Sequence, residues 1–120
     1  MPYEKKANKI FRYPLDHVYQ STIFCVNYMG GKIIKQDQEK GILFAQMDKK
    51  LFGKYLGDRS QLEIQFRDEG NSQTSMYIFA YPLNAVGQKL MFGAREGVVD
   101  TIISTLYQEM EKHLQDTYPS

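Results

Sequence analysis

The chain has few of the residues from which many functional sites are built. Its 120 residues contain one cysteine, Cys25, and two histidines, His17 and His113. A lone cysteine excludes an internal disulfide and any zinc site of the multi-cysteine kind. Neither sign of charge is in excess. Fifteen basic residues against fourteen acidic leave a net charge of +1, so no long-range field draws in nucleic acid or an anionic membrane. Binding of that sort has to be local. No apolar run approaches the roughly 20 residues of a membrane span, and the opening MPYEKKANKIFRYP lacks the apolar stretch of a signal peptide. A cytoplasmic protein is expected, the alternative being an exported one whose leader was removed. Gly87, Gly93 and Gly97 do not follow the G-x-G-x-x-G or P-loop spacing, so no phosphate cradle is indicated and no cofactor is expected.

The chain does have enough apolar residues for a core. With 42% hydrophobic and 13% aromatic residues, it can bury one core at a common domain size. One domain over residues 1–120 is expected, with a flexible start at 1–7 and a tail at 116–120.

Hydrophobic period assigns the elements. NKIFRY, Asn8 to Tyr13, reads as a first strand stopped by Pro14. From Leu15 to Met29 the period changes: Val18, Thr22, Cys25, Val26 and Met29 recur at helical spacing, with Tyr19 and Ile23 widening the stripe. Pro14 and Asp16 suit the start of that helix, and Gly30-Gly31 its end. Lys32 to Met47 then reads as a hairpin, two apolar runs flanking a polar segment that closes on Gly41. Leu62, Ile64 and Phe66 alternate with Glu63, Gln65 and Arg67, which is the pattern of a half-buried strand. DEGNS, 68–72, supplies the next turn. Thr74 to Tyr81 follows as its partner, with Met76, Ile78 and Ala80 on one face and Tyr77, Phe79 and Tyr81 on the other. Arg95 to Gln115 closes the chain as a long amphipathic helix of about 30 Å, its stripe built from Val99, Ile102, Ile103, Leu106 and Met110. The order β-α-β-β-β-β-α calls for an α+β fold, an antiparallel sheet of about five strands with two helices on one face.

The hairpin carries a resemblance. Asp37, Gly41, Leu43 and Ala45 fall on D-x-x-x-G-x-[IL]-x-A, and Pro14, Asp16 and Val18 are similar to a P-x-D-x-V segment that feeds such a hairpin. Together they resemble the helix-grip domains of BamC-type outer-membrane lipoproteins and of several uncharacterised bacterial families. The resemblance implies a helix-grip-like fold in which the last helix closes the sheet. It also implies a binding or scaffold module without catalytic residues, so no residue role is carried over.

Strand order places two unusual loops at one end. DKKLFGKYLGDRS, 48–60, carries Leu51, Phe52, Tyr55 and Leu56, while LNAVGQKLMFGA, 83–94, carries Val86, Leu90, Met91 and Phe92. Loops are normally polar, so Leu51, Phe52, Tyr55, Leu56, Met91 and Phe92 are candidates for binding a ligand, a protein partner or a membrane surface. The bland alternative is that they fold back and plug the core. The row of Tyr77, Phe79 and Tyr81 is the second candidate surface. With Ile42 and Phe44 it suits a homodimer face, whereas base stacking is disfavoured by the near-neutral charge. Cys25 and His17, eight residues apart on one helix, are separated by about 12 Å and form no catalytic pair. Glu109 and His113 are an i, i+4 pair, and two ligands make no metal site. The sequence therefore points to a non-catalytic binding module, with a small hydrophobic-ligand carrier as the alternative. In the carrier, a cavity would lie between the sheet and the C-terminal helix.

Overall fold

The computed structural model describes residues 3–119. It contains β1 (Lys5–Phe11), α1 (Leu15–Tyr28), β2 (Lys32–Asp37), β3 (Ile42–Met47), β4 (Lys50–Leu51), β5 (Lys54–Tyr55), β6 (Arg59–Gly70), β7 (Gln73–Leu83) and α2 (Val98–Thr117). Five strands form one antiparallel sheet in the order β1-β7-β6-β3-β2, and β4 and β5 form a separate two-stranded ribbon. The expected five strands and two helices are all present.

Alternation along the central strands decides which face meets the helices. Leu43, Ala45 and Met47 on β3, Leu62, Ile64 and Phe66 on β6, and Met76, Ile78 and Ala80 on β7 are all buried. Against them α1 packs Val18, Tyr19, Thr22, Cys25 and Val26, and α2 packs Val99, Ile102, Leu106, Met110 and Leu114. Two polar groups tie the helices down. Tyr19 donates its hydroxyl to the Ile42 carbonyl, and Tyr107 donates to that of Met76. Burial pushes the Tyr107 phenol up to about 12.

The turns follow their residues. Asp37 accepts from the Lys40 N–H, and the chain reverses at Gly41, whose φ is 68°. A Cβ added at Gly41 would lie 2.6 Å from the Phe66 carbonyl oxygen, so only glycine lets β3 and β6 close there. The β6–β7 turn places Asn71 and Ser72 in the left-handed region, with Asp68 accepting from the Gly70 N–H.

Several boundaries differ from expectation: β6 begins at Arg59, inside the expected loop 48–60, β7 runs past Tyr81 and Pro82 to Leu83, and three further differences follow. β1 starts at Lys5 rather than Asn8, because β7 offers it ladder partners from Ala80 to Thr74. Lys5 to Ala7, expected in the flexible start, are therefore strand, while residues 1 and 2 lie outside the described range. Lysines on this edge strand hid its periodicity; Lys9 reaches across to Glu111 at 2.7 Å. The last helix begins at Val98 rather than Arg95, since Gly97 at φ 82° breaks the helical backbone, and it runs to Thr117 into the expected tail. Within the loop 48–60, the ribbon of β4 and β5 replaces an irregular segment.

Substituting Gly41 with alanine should destabilise the fold by at least about 2 kcal/mol, from the left-handed backbone plus the close carbonyl. Gly30, with φ 85° and open space around its Cβ position, should lose only about 1 kcal/mol for the same change. Urea unfolding of the two variants gives the comparison, and equal losses would contradict the close-approach argument.

Candidate functional site

The two loops meet at one end of the sheet and hold each other. Arg59 donates from one guanidinium nitrogen to the carbonyls of Asn84 and Ala85, each at 3.1 Å, and the Arg95 N–H donates to an Asp58 carboxylate oxygen at 2.7 Å. The Arg95 guanidinium sits over the Tyr55 ring at 5.9 Å. Asn84 folds the second loop by accepting from the Val86 and Gln88 N–H groups. Between the loops lies an open cleft of about 540 Å³ lined by Lys49, Tyr55, Asp58, Arg59, Asn84 and Leu90, among others. A second cleft of about 500 Å³ opens between the ends of β1 and β7 and the start of α2, with Tyr3, Lys5, Pro82, Arg95 and Val99 on its walls.

The six loop residues divide between the two expectations. Leu51 is 7% exposed and belongs to the core, and Leu56 packs half-buried against it. These two are the plug. Phe52 and Tyr55 are each 55% exposed, Met91 is 48% and Phe92 is 86% exposed, so these four stand outside. Within the ribbon, the register Lys50 opposite Tyr55 and Leu51 opposite Lys54 puts Leu51 and Tyr55 on opposite faces. Phe52 and Gly53 form the ribbon's tip, with φ of 51° and 81°. Two successive left-handed residues make the hairpin turn that favours Asn-Gly. A phenylalanine there costs about 1 kcal/mol of backbone strain and keeps over half of its surface in water.

Tyr77, Phe79 and Tyr81 lie on the uncovered sheet face, as alternation requires, and Ile42 and Phe44 share it. Tyr77 is exposed while Phe79 and Tyr81 are half-buried. The row is interleaved with polar groups. Glu63 stands directly between Phe44 and Phe79, accepts a hydrogen bond from the Tyr81 hydroxyl at 3.0 Å, and the Lys89 amine covers the Tyr81 ring at 4.6 Å. Burial, reinforced by the Glu63 bond and charge, pushes the Tyr81 phenol up to about 12.

Sequence reasoning missed an aromatic ridge on the outer side of α1. Phe24 and Tyr28 are 52% and 60% exposed, and their rings are 6.2 Å apart. Phe52 lies 5.4 Å from Tyr28, which joins the ridge to the ribbon tip. Their i, i+4 spacing, opposite the buried stripe, was the available signal.

The thiol and imidazoles take structural places. Cys25 is buried, and burial pushes its thiol up to about 11. His113 shares a hydrogen bond with the buried Ser21 hydroxyl at 2.8 Å and stacks on Phe24, while His17 stacks on Tyr118 at 3.7 Å. Among the described residues no group of three or more His, Cys, Asp or Glu could hold a metal ion, and no helix is long and apolar enough to cross a membrane. The Ser60 hydroxyl, fully buried beneath the loops, has no hydrogen-bond partner.

Cys25 should react with Ellman's reagent only as fast as the fold opens. Full reactivity in native protein at neutral pH would contradict both its burial and its raised pKa.

No family model and no curated protein matches the chain. Solved structures do match in fold. Ara h 8.0201 superposes with a TM-score of 0.64 at 5% identity, over 95% of this chain and 98% of that one. TTHA0849 from Thermus thermophilus gives 0.51 at 12% identity, over 96% and 99%. The di-domain aromatase/cyclase StfQ from the steffimycin biosynthetic pathway gives 0.52 at 10% identity, over 92% of this chain but 44% of that one, so the chain spans less than half of StfQ. None of these three is a BamC-type lipoprotein, and what they share with this chain is the helix-grip arrangement. At these identities the similarity concerns architecture alone: the chain has an α+β helix-grip fold.

Proposed function

We propose that this protein is a non-catalytic binding module whose recognition surface is its loop end. The carrying observation is that Phe52, Tyr55, Met91 and Phe92 stand exposed on the two loops there, Tyr55 on the wall of the cleft between them, while Leu51 and Leu56 already close the core. Water-facing aromatic and methionine side chains at one end gain by being covered, and those beneath them need no help in sealing the core. The loops are braced by Arg59, Asn84 and Arg95, so little ordering is left to oppose binding.

A hydrophobic-ligand carrier is the second reading. It is favoured by the unpartnered Ser60 hydroxyl, which lies opposite Pro82 in the ladder, the same Pro82 that lines the cleft at the start of α2. A ligand entering there would find one polar anchor. The space behind is filled by Ile102, Leu106 and Met110, so this reading requires α2 to move outward. Self-association through Tyr77, Phe79 and Tyr81 remains a further proposal, since no helix covers that face. Glu63 and Lys89 already partner its rings, and a chain that sediments as a monomer at high concentration would remove it.

The test uses the dye 1-anilinonaphthalene-8-sulfonate as an apolar probe in amide NMR titrations. Shifts should cluster in residues 49–59 and 84–95, and the quadruple variant F52S/Y55S/M91S/F92S should stay folded and bind the dye at least about tenfold more weakly. Shifts centred on Ile42, Phe44 and Tyr77, or on Leu106 and Met110, would contradict the assignment.

A further inference from the structure

The charge of the loop end differs from that of the molecule. Residues 48–60 and 84–97 hold six basic side chains, Lys49, Lys50, Lys54, Arg59, Lys89 and Arg95, against three acidic ones, Asp48, Asp58 and Glu96. That is a local net of +3 on a chain whose total is +1, so the remainder carries −2. Lys89 is spoken for by Glu4 and by the rings of Phe79 and Tyr81. Lys49, Lys50 and Lys54 are exposed and make no ion pair with other described residues.

Shape and chemistry coincide at this end. The three lysines lie on and beside the ribbon whose tip is Phe52, held in a left-handed backbone that a bulky residue rarely adopts. The neighbouring loop ends in Met91 and Phe92. The tips stand on different loops, and the ring of Phe52 is backed by that of Tyr28 at 5.4 Å. A protein interface demands a matching surface for each tip, whereas the interfacial layer of a bilayer accepts protrusions without complementarity. Aromatic rings favour that layer, and lysines beside them meet anionic headgroups.

We propose that the loop end docks on the surface of an anionic lipid bilayer, with Phe52 and Phe92 entering the interface and Lys49, Lys50 and Lys54 lying against the headgroups. This names the partner of the recognition surface proposed above and rests on that reading. The docked chain lies on the bilayer and does not span it. Binding is additive over the lysines, and salt screens it.

Co-sedimentation of the full chain with vesicles tests this. Vesicles of phosphatidylglycerol and phosphatidylcholine in equal parts should bind the chain at low salt, release most of it at high salt, and hold it far more tightly than phosphatidylcholine alone. K49Q/K50Q/K54Q should lose about 100-fold in partitioning, near fivefold for each lysine. F52S/F92S should also leave the vesicles, whereas Y77S on the sheet face should bind as the parent does. Circular dichroism and thermal midpoints confirm that each variant is folded. Equal binding to both vesicle types, or salt-insensitive binding, would overturn the electrostatic docking. Absence of vesicle binding by a chain that still takes the dye at residues 49–59 would overturn the lipid partner and leave the binding module standing. Loss of both would overturn the binding module as well.

Discussion

The interaction on which the structure depends is the packing of α2 against the helix-facing side of the sheet. Leu106, Met110 and Leu114 reach the same core as Leu62, Ile64, Met76 and Ile78, and all seven have no more than 1% of their surface in contact with solvent. Filling this space to native density gives the last helix its fixed place, because an apolar stripe of that length has no other face to bury against. It also decides where recognition has to be. With the interior occupied, the apolar side chains left for a partner are those that the fold pushes outside, and Phe52, Tyr55, Met91 and Phe92 among them stand at one end.

The loop end is built by the same constraint. Leu51 and Leu56 are drawn in to seal the core, strand alternation puts Tyr55 on the other face of the ribbon, and Phe52 stands at its turn. Arg59 and Asp58 join the first loop to the second through backbone groups, so the two move as one surface. The opposite end shows what a purely structural turn looks like: Asp37 and Asp68 accept from backbone N–H groups, Gly41 and Asn71 take the left-handed backbone, and none presents a large apolar side chain. The contrast lies within one molecule and separates turn chemistry from a surface that has kept exposed aromatics at a cost in strain.

Most of the architecture was legible because its signals were periodic. The alternation at Leu62, Ile64 and Phe66, the helical stripe from Val99 to Met110, and the glycine-bearing turns each name an element and its buried face. β1 was partly concealed, since Lys5 and Lys9 occupy an edge where long side chains reach Asp100 and Glu111. The site was legible in composition but not in direction. Whether Leu51 or Phe52 faces inward depends on a ribbon of two ladder pairs, too short to show a period. Phe24 and Tyr28 were overlooked because a helix flanked by a good apolar stripe needs no second one, and their link to Phe52 is visible only in three dimensions.

The central claim is that the space between α2 and the sheet is filled, so that binding belongs to the exterior end. Xenon tests it directly, because a dry apolar cavity takes up the gas and shifts the methyl signals that line it. Under xenon pressure the methyls of Met76, Ile78, Leu106 and Met110 should show no saturable shift in NMR spectra of the folded protein. Saturable shifts at those four residues would reveal an internal cavity and contradict the account.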